Sequence, residues 1–261
     1  MEGPTQRLKV LLFLAFFFGA AGFLFTLLSW GTEYWLLAAE SCSQTENQHG
    51  GLRLEKNTKQ TVDGARIFHE GLFRRCVFRT VSSDFAIMDF WITNQPHSKV
   101  CHAAYLFPFP VSEPEWAEPY EQPSAIVFRT FWSIFQVTGV TALTIGGFIV
   151  LCAAPLTNQK LYRVGGAFQV CGGVCLLAVV VMYLMWVQVL NTLEQFALHH
   201  RASTCPSYHL SVQHGPSFLL APVGVIFSLL AGLLFVLIGR SVQEVAVDRE
   251  EKIPESSTTE L

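Results

Sequence analysis

The sequence predicts an all-α membrane bundle of four transmembrane helices carrying a small extracellular antiparallel β-sheet. Three observations predict it. Four long runs contain no Asp, Glu, Lys or Arg, at residues 10–31, 130–159, 164–193 and 215–239. A long segment between the first two runs contains stretches rich in aromatic and aliphatic residues. The cysteines fall into two groups, four between the runs and three within or beside them. A helix needs about 20 apolar residues to cross the hydrocarbon core, and in lipid a helix is the plausible way for such a run to satisfy its backbone. The chain is 51% hydrophobic and only 14% charged, against roughly 25% charged in soluble domains. Its formal net charge of −3 gives no electrostatic footprint for nucleic acid. The partner that composition names is the lipid bilayer.

Residues 1–9 form a short cytoplasmic N-terminus. The first span, 10–31, is longer than a signal-peptide apolar region of about 7–15 residues. It ends in Leu28, Ser29 and Trp30 rather than in small residues, so it reads as a retained anchor. The other spans are expected at 130–154, 164–190 and 216–239. Orientation is read from short flanks. Arg7 and Lys9 precede the first span, Lys160 and Arg163 occupy the link 155–163, and Arg240 follows the fourth span, whereas the loop 191–215 offers only Arg201 with Glu194. Both termini and the link are therefore expected in the cytoplasm, with 32–128 and 191–215 outside. Trp30, Tyr34, Trp35, Trp132, Tyr162 and Trp186 lie near span ends, as an interfacial aromatic belt would.

In the first outer loop, residues 34–39, 71–79, 89–93 and 103–109 read as strands. Residues 43–66 read as a flexible polar insertion. Pro108, Pro110, Pro114, Pro119 and Pro123, interspersed with Glu113, Glu115, Glu118 and Glu121, give an acidic extended return to the second span. Cys42, Cys76, Cys101 and Cys205 fall on the outer side, where disulfides persist, and allow three pairings. The favoured one is Cys76–Cys101, with Cys42–Cys205 tying the two outer loops together. No Asn-x-Ser/Thr sequon occurs, so no N-linked glycan is expected.

Ionisable residues inside a membrane mark ion paths and proton relays, and the four runs have none, which argues against a pump or coupled transporter. No G-x-S-x-G or H-E-x-x-H pattern occurs. No catalytic residue, metal ligand or cofactor is therefore expected. His199, His200, His209 and His214 lack ligand spacing and read as solvated loop histidines. Gly224, Ser228 and Gly232, and likewise Ala167, Cys171 and Cys175, form i, i+4, i+8 stripes expected to pack within the bundle. Gln136 and Gln169 are expected to hydrogen-bond between helices. Cys152, just before Pro155, is a candidate for palmitoylation, a buried unmodified thiol being the alternative. After Arg240 the chain turns polar and acidic, with Asp248, Glu250, Glu251 and Glu255, and is expected to be disordered over 240–261. Its end, Thr259-Glu260-Leu261, fits a PDZ-scaffold ligand, an apolar terminal side chain and a hydroxyl two residues earlier being what such domains read.

Gly71-Leu72-Phe73-Arg74-Arg75-Cys76 resembles the G-L-W-x-x-C signature of the four-span superfamily of claudins, PMP-22 and calcium-channel gamma subunits, with Phe73 in place of the usual Trp. Gly31-Thr32-Glu33-Tyr34-Trp35-Leu36 resembles the gamma-subunit opening of the same loop. Phe68-His69-Glu70-Gly71-Leu72-Phe73, the run from Phe90 to Lys99, Leu151-Cys152-Ala153-Ala154-Pro155 and the run from Ser217 to Pro222 are similar to the transmembrane protein 182 family. The likeness extends over all four spans and both outer loops, but not over 43–66 or the tail. It implies a claudin-like fold and a non-enzymatic plasma-membrane protein of the myogenic lineage, restraining myoblast differentiation and fusion through contact with integrin beta-1 or another membrane receptor. Tyr34, Trp35, Gly71, Leu72, Phe73 and Cys76 would be its extracellular signature, with Trp35, Phe73, Trp91, Cys76 and Cys101 holding the sheet. The alternatives are an auxiliary, gamma-like subunit of an ion channel or a claudin-like junction protein.

Overall fold

The computed structural model describes residues 4–42, 66–79, 99–103, 123–156, 158–189, 194, 197–198, 201–202 and 206–251 of the 261-residue chain. They fall into two compact units. One comprises Met1–Ser29, Val127–Tyr183 and Leu220–Leu261, and the other Trp30–Ile126 and Leu184–Leu219.

The first unit is helical. It is built from α1 (Pro4–Gly31), α2 (Pro123–Leu156), α3 (Gln159–Leu184) and α4 (Pro216–Glu251). Four stretches are long and apolar enough to cross a membrane: Gln6–Gly31, Thr130–Pro155, Gln159–Gln188 and Pro216–Gln243. The third leaves the α-helical ladder for a π-helical turn at Met185–Val189. The core joins Ala15, Val150, Ala153, Tyr162, Ala231, Phe235 and Ile238, one or more from each helix. Phe16 meets Phe235 edge-on at 5.2 Å.

Lipid tails are as apolar as the helices, so the spans associate by close packing rather than by the hydrophobic effect. Helix α3 carries two adjacent glycine pairs for this purpose. Gly165 and Gly172 face α2, where a Cβ on Gly172 would stand 2.8 Å from the Gly139 carbonyl oxygen. Gly166 and Gly173 face α4, where a Cβ on Gly166 would stand 2.7 Å from the Gly232 carbonyl oxygen. The stripe Gly224, Ser228, Gly232 packs inside the bundle, against Gly22 and Thr26 of α1 and Gly166 and Val170 of α3. The stripe Ala167, Cys171, Cys175 does not: Ala167 and Cys171 are exposed and Cys175 only half-buried, because the glycines one position away take the inner face.

Several expectations about this unit need correction. The link 155–163 is almost wholly helical, with α2 ending at Leu156 and α3 starting at Gln159. Asn158 caps α3, its Oδ1 accepting the Lys160 N–H at 3.0 Å. The tail does not lose structure at Arg240, since α4 continues to Glu251. A helix already nucleated propagates cheaply, and residues 240–251 contain neither Gly nor Pro. Arg163 donates to Gln243 Oε1 at 3.1 Å, joining α3 to α4 near the end of the fourth stretch. Trp132, Tyr162, Trp186 and Trp35 are buried in protein rather than facing headgroups. Gln136 and Gln169 were expected to bond between helices, yet both carboxamide ends of Gln136 and the Oε1 of Gln169 lack partners among the described residues. Opposite Gln169 the neighbouring helix presents Gly19, which has no side chain to offer.

The second unit is a five-stranded sheet of β1 (Leu36–Cys42), β2 (Arg66–Glu70), β3 (Arg74–Arg79), β4 (Val100–Ala103) and β5 (Tyr208–His214). Its order is β4-β3-β2-β1-β5, and every ladder is antiparallel. β1 starts two residues later than expected and runs on to Cys42. The expected strand 71–79 begins only at Arg74, because 71–73 form the turn after β2. β2 was not anticipated, and neither was β5, which comes from the segment between the third and fourth spans and pairs β1 from Leu36↔His214 to Cys42↔Tyr208. The strand expected at 89–93 lies outside the described residues, and of 103–109 only Ala103 is described.

Candidate functional site

The residues of the aromatic motif converge where β1, β2 and β3 meet. Trp35 is fully buried. Its N–H donates to the Glu70 carbonyl at 2.9 Å and its own carbonyl accepts from Gly215 at 3.0 Å. Its ring lies 5.7 Å from that of Phe218. Tyr34 stacks on His69 with ring centroids 4.7 Å apart, and its carbonyl accepts the Ser217 N–H. Two glycines permit this closure. A Cβ on Gly71 would lie 2.6 Å from the Thr32 carbonyl oxygen and the Glu33 Cα, and one on Gly215 would collide with the Tyr34 carbonyl oxygen. Only a residue without a side chain lets the backbones approach so closely.

Leu72 and Cys76 are fully buried, but Phe73 is 51% exposed. Phe73 therefore does not hold the sheet as expected. Leu72 takes the inner place in the turn, and Phe73 stands at its tip beside Arg74, whose side chain is 70% exposed. Cys76 is joined to Cys101 across the β3–β4 ladder. Cys42 is also disulfide-bonded, and its expected partner Cys205 lies outside the described residues, as do Trp91 and Thr259, Glu260 and Leu261. Cys152 is a half-buried free thiol near the end of α2.

Beneath the turn lies a polar cluster that sequence reasoning missed. Glu33 Oε2 accepts from Lys99 Nζ at 3.0 Å, and Arg74 lies 3.7 Å from its other oxygen. His69 Nδ1 lies 3.0 Å from the Glu33 carbonyl oxygen, which fixes the ring proton on Nδ1 in the neutral form. Burial holds the His69 pKa below its usual 6.5, with the Lys99 charge acting the same way and the two Glu33 contacts opposing. Glu70, 1% exposed, accepts from Arg75 Nη2 at 2.9 Å. The ligand atoms of Glu33, His69 and Cys76 lie within 4.8 Å of one another. They do not form a metal centre here, because the Cys76 sulfur is bonded to Cys101 and an ammonium already sits on the Glu33 carboxylate. The 3.3 Å approach of Cys76 Sγ to Glu33 is likewise a contact without a proton to share. The legible signal for this cluster was the charge-bearing frame around the aromatic motif, His69-Glu70 before it and Arg74-Arg75 within it.

Residues 20–237 match the family described as PMP-22/EMP/MP20/Claudin tight junction. Transmembrane protein 182 of Danio rerio is 40% identical over 244 residues, covering 91% of this chain and 98% of that protein. The chain belongs to the transmembrane protein 182 family. The Mus musculus member is 40% identical over 244 residues, covering 91% of this chain and 99% of its own length, and the Homo sapiens member is 38% identical over 241 residues with the same shares. A multi-pass membrane protein with a claudin-like fold is thus established. Of the motif, Trp35, Gly71, Leu72 and Cys76 are buried, whereas Phe73 is exposed, as is Arg74 after it.

Proposed function

We propose that the chain is a non-enzymatic plasma-membrane regulator of cell adhesion and fusion, with both termini cytoplasmic, whose outer sheet contacts an integrin-class receptor through the Phe73–Arg74 turn. The observation that carries the contact is this turn. Phenylalanine and arginine are both enriched at protein interfaces relative to the rest of the surface, and here an exposed one of each stands side by side on a disulfide-tied sheet. Kinship with transmembrane protein 182 supports the myogenic setting and the restraining sign. The tail residues Thr259, Glu260 and Leu261 recruit a PDZ scaffold, and palmitoylation of Cys152 anchors the end of α2.

The test is affinity purification of full-length protein from fusing muscle cells in mild detergent, with mass spectrometry of the co-purifying proteins. Integrin beta-1 should be recovered with the natural chain. It should be lost with Phe73→Ala plus Arg74→Glu, a variant expected to reach the surface because both side chains are exposed. Recovery of pore-forming channel subunits without integrin would overturn the reading in favour of an auxiliary subunit.

A further inference from the structure

The helical unit contains a cleft of about 370 Å³ between α1 and α2, floored by α3 and α4. Its rim is apolar and faces outward, with Ala20 exposed, Phe148 68% exposed and Leu151 63% exposed. Its floor is buried and contains Val150, Gln169, Ser228 and Phe235. Gly147 leaves the interior open, since a Cβ there would meet nothing within 4 Å. This volume suits a small ligand, and such sites are mostly apolar with a few placed polar groups.

The polar groups are specific. Thr144 and Ser228 already give their protons to the Val140 and Gly224 carbonyls, each at 2.8 Å, so they can only accept. Gln169, 6% exposed, presents an Oε1 without a partner among the described residues. A buried unpaired carboxamide end is costly in hydrocarbon, and the side chain that could have answered it is the missing one at Gly19. The two ends of a carboxamide exchange by a flip. A hydroxyl, which both donates and accepts, fits either orientation.

We propose that this cleft binds a neutral, hydroxyl-headed membrane lipid, its hydroxyl received by Gln169 and its apolar body lying between Phe16, Phe23 and Phe148. Gln169 lies ten residues after Gln159, where the span begins, or about 15 Å along the axis. A large charged head cannot be drawn to that depth, and among the described residues the lining holds no Lys or Arg to meet a phosphate. Sterols and ceramides share the required chemistry, a single small uncharged head on a long apolar body.

The experiment uses full-length protein in nanodiscs with photoreactive, alkyne-tagged probes: a sterol, a ceramide, and the analogue of each with hydroxyl replaced by hydrogen. Peptide mapping should place the adducts in residues 16–23 and 143–151. In at least one arm the hydroxyl probe should label about three- to tenfold more than its deoxy analogue, the range a membrane hydrogen bond supplies. Whichever arm succeeds identifies the source. Gln169→Leu should erase the preference for the hydroxyl probe. Gly147→Leu should fill the cleft and cut labelling there by about tenfold, with the melting temperature retained because the new side chain enters open space. Three outcomes would each overturn the proposal: adducts spread evenly over all four helices, equal labelling by hydroxyl and deoxy probes in both arms, and capture of a second polypeptide at this face in place of the probes.

Discussion

The helical unit and the sheet unit solve the same problem, bringing backbones close, with opposite chemistry. In the helices the contacts are glycine against carbonyl, as at Gly172 and Gly139 or Gly166 and Gly232, and among the described residues the spans contribute no ion pair. In the sheet, charge is concentrated around Glu33 and Glu70, and a covalent bridge crosses β3 and β4. Lipid explains the difference. A charge in hydrocarbon is costly, so helices use shape. The sheet residues build a small core for which shape alone is weak, so they add cross-links and buried pairs. Each unit should therefore fail in its own way.

The largest losses should come where a glycine is replaced against backbone. Gly71→Ala should cost roughly 3–5 kcal/mol and abolish surface delivery, and Gly172→Val should do the same to the bundle, read as thermal unfolding in detergent. Their contrast is Gly147→Ala, which meets open space and should be neutral or stabilising by up to about 1 kcal/mol through helix propensity. Next in size, Glu70→Ala should cost about 3 kcal/mol, because it removes the buried carboxylate that the half-buried Arg75 guanidinium donates to. Adding Arg75→Leu should restore much of the loss, since the uncompensated charge rather than the missing attraction dominates. A double-mutant cycle measures this, and additive losses would refute it. Reduction of the Cys76–Cys101 bridge, which spans 25 residues, should destabilise the sheet by about 3 kcal/mol. Hydrogen exchange in the spans should be unchanged.

The smallest effect separates the units by pH. His69 is held neutral by burial, so its folded pKa lies below the unfolded value of 6.5. Its contribution is fully present above 6.5 and is lost as pH falls from there towards the folded value, because the unfolded chain takes up the proton first. Sheet stability should fall over that window in a pH series of melting curves, and His69→Gln should flatten the slope. A slope surviving the substitution would assign it to another group.

The spans were legible because the bilayer demands a long uncharged run and nothing else writes one. Their ends were not, since Lys160, Arg163 and the acidic residues after Arg240 are as compatible with helix as with loop, and hydropathy is silent on that choice. In the sheet, Trp35 and Leu72 were legible as apolar residues beside turn formers. Only the His69-Glu70 and Arg74-Arg75 part of the polar cluster was legible; Glu33 and Lys99 come from separate places in the chain, outside β2 and β3, and meet His69 only in the fold. β5 was hidden because Tyr208–His214 alternates weakly and lies among histidines that read as solvated. The exposure of Phe73 was masked by the motif itself, in which an aromatic beside a buried cysteine suggests a core position.

The pairing of β1 with β5 has a consequence for synthesis. β1 is made first and β5 last, with two complete spans between them. At about 5–20 residues per second, one edge of β1 stays without its ladder for on the order of 10 s after β1 and β2 have met. An open strand edge is adhesive, so the growing chain carries a vulnerable template through most of its insertion. Release from quality control is thereby coupled to the arrival of β5, after the third span and before the fourth, and truncation anywhere before His214 should leave a product that is retained and cleared rather than delivered.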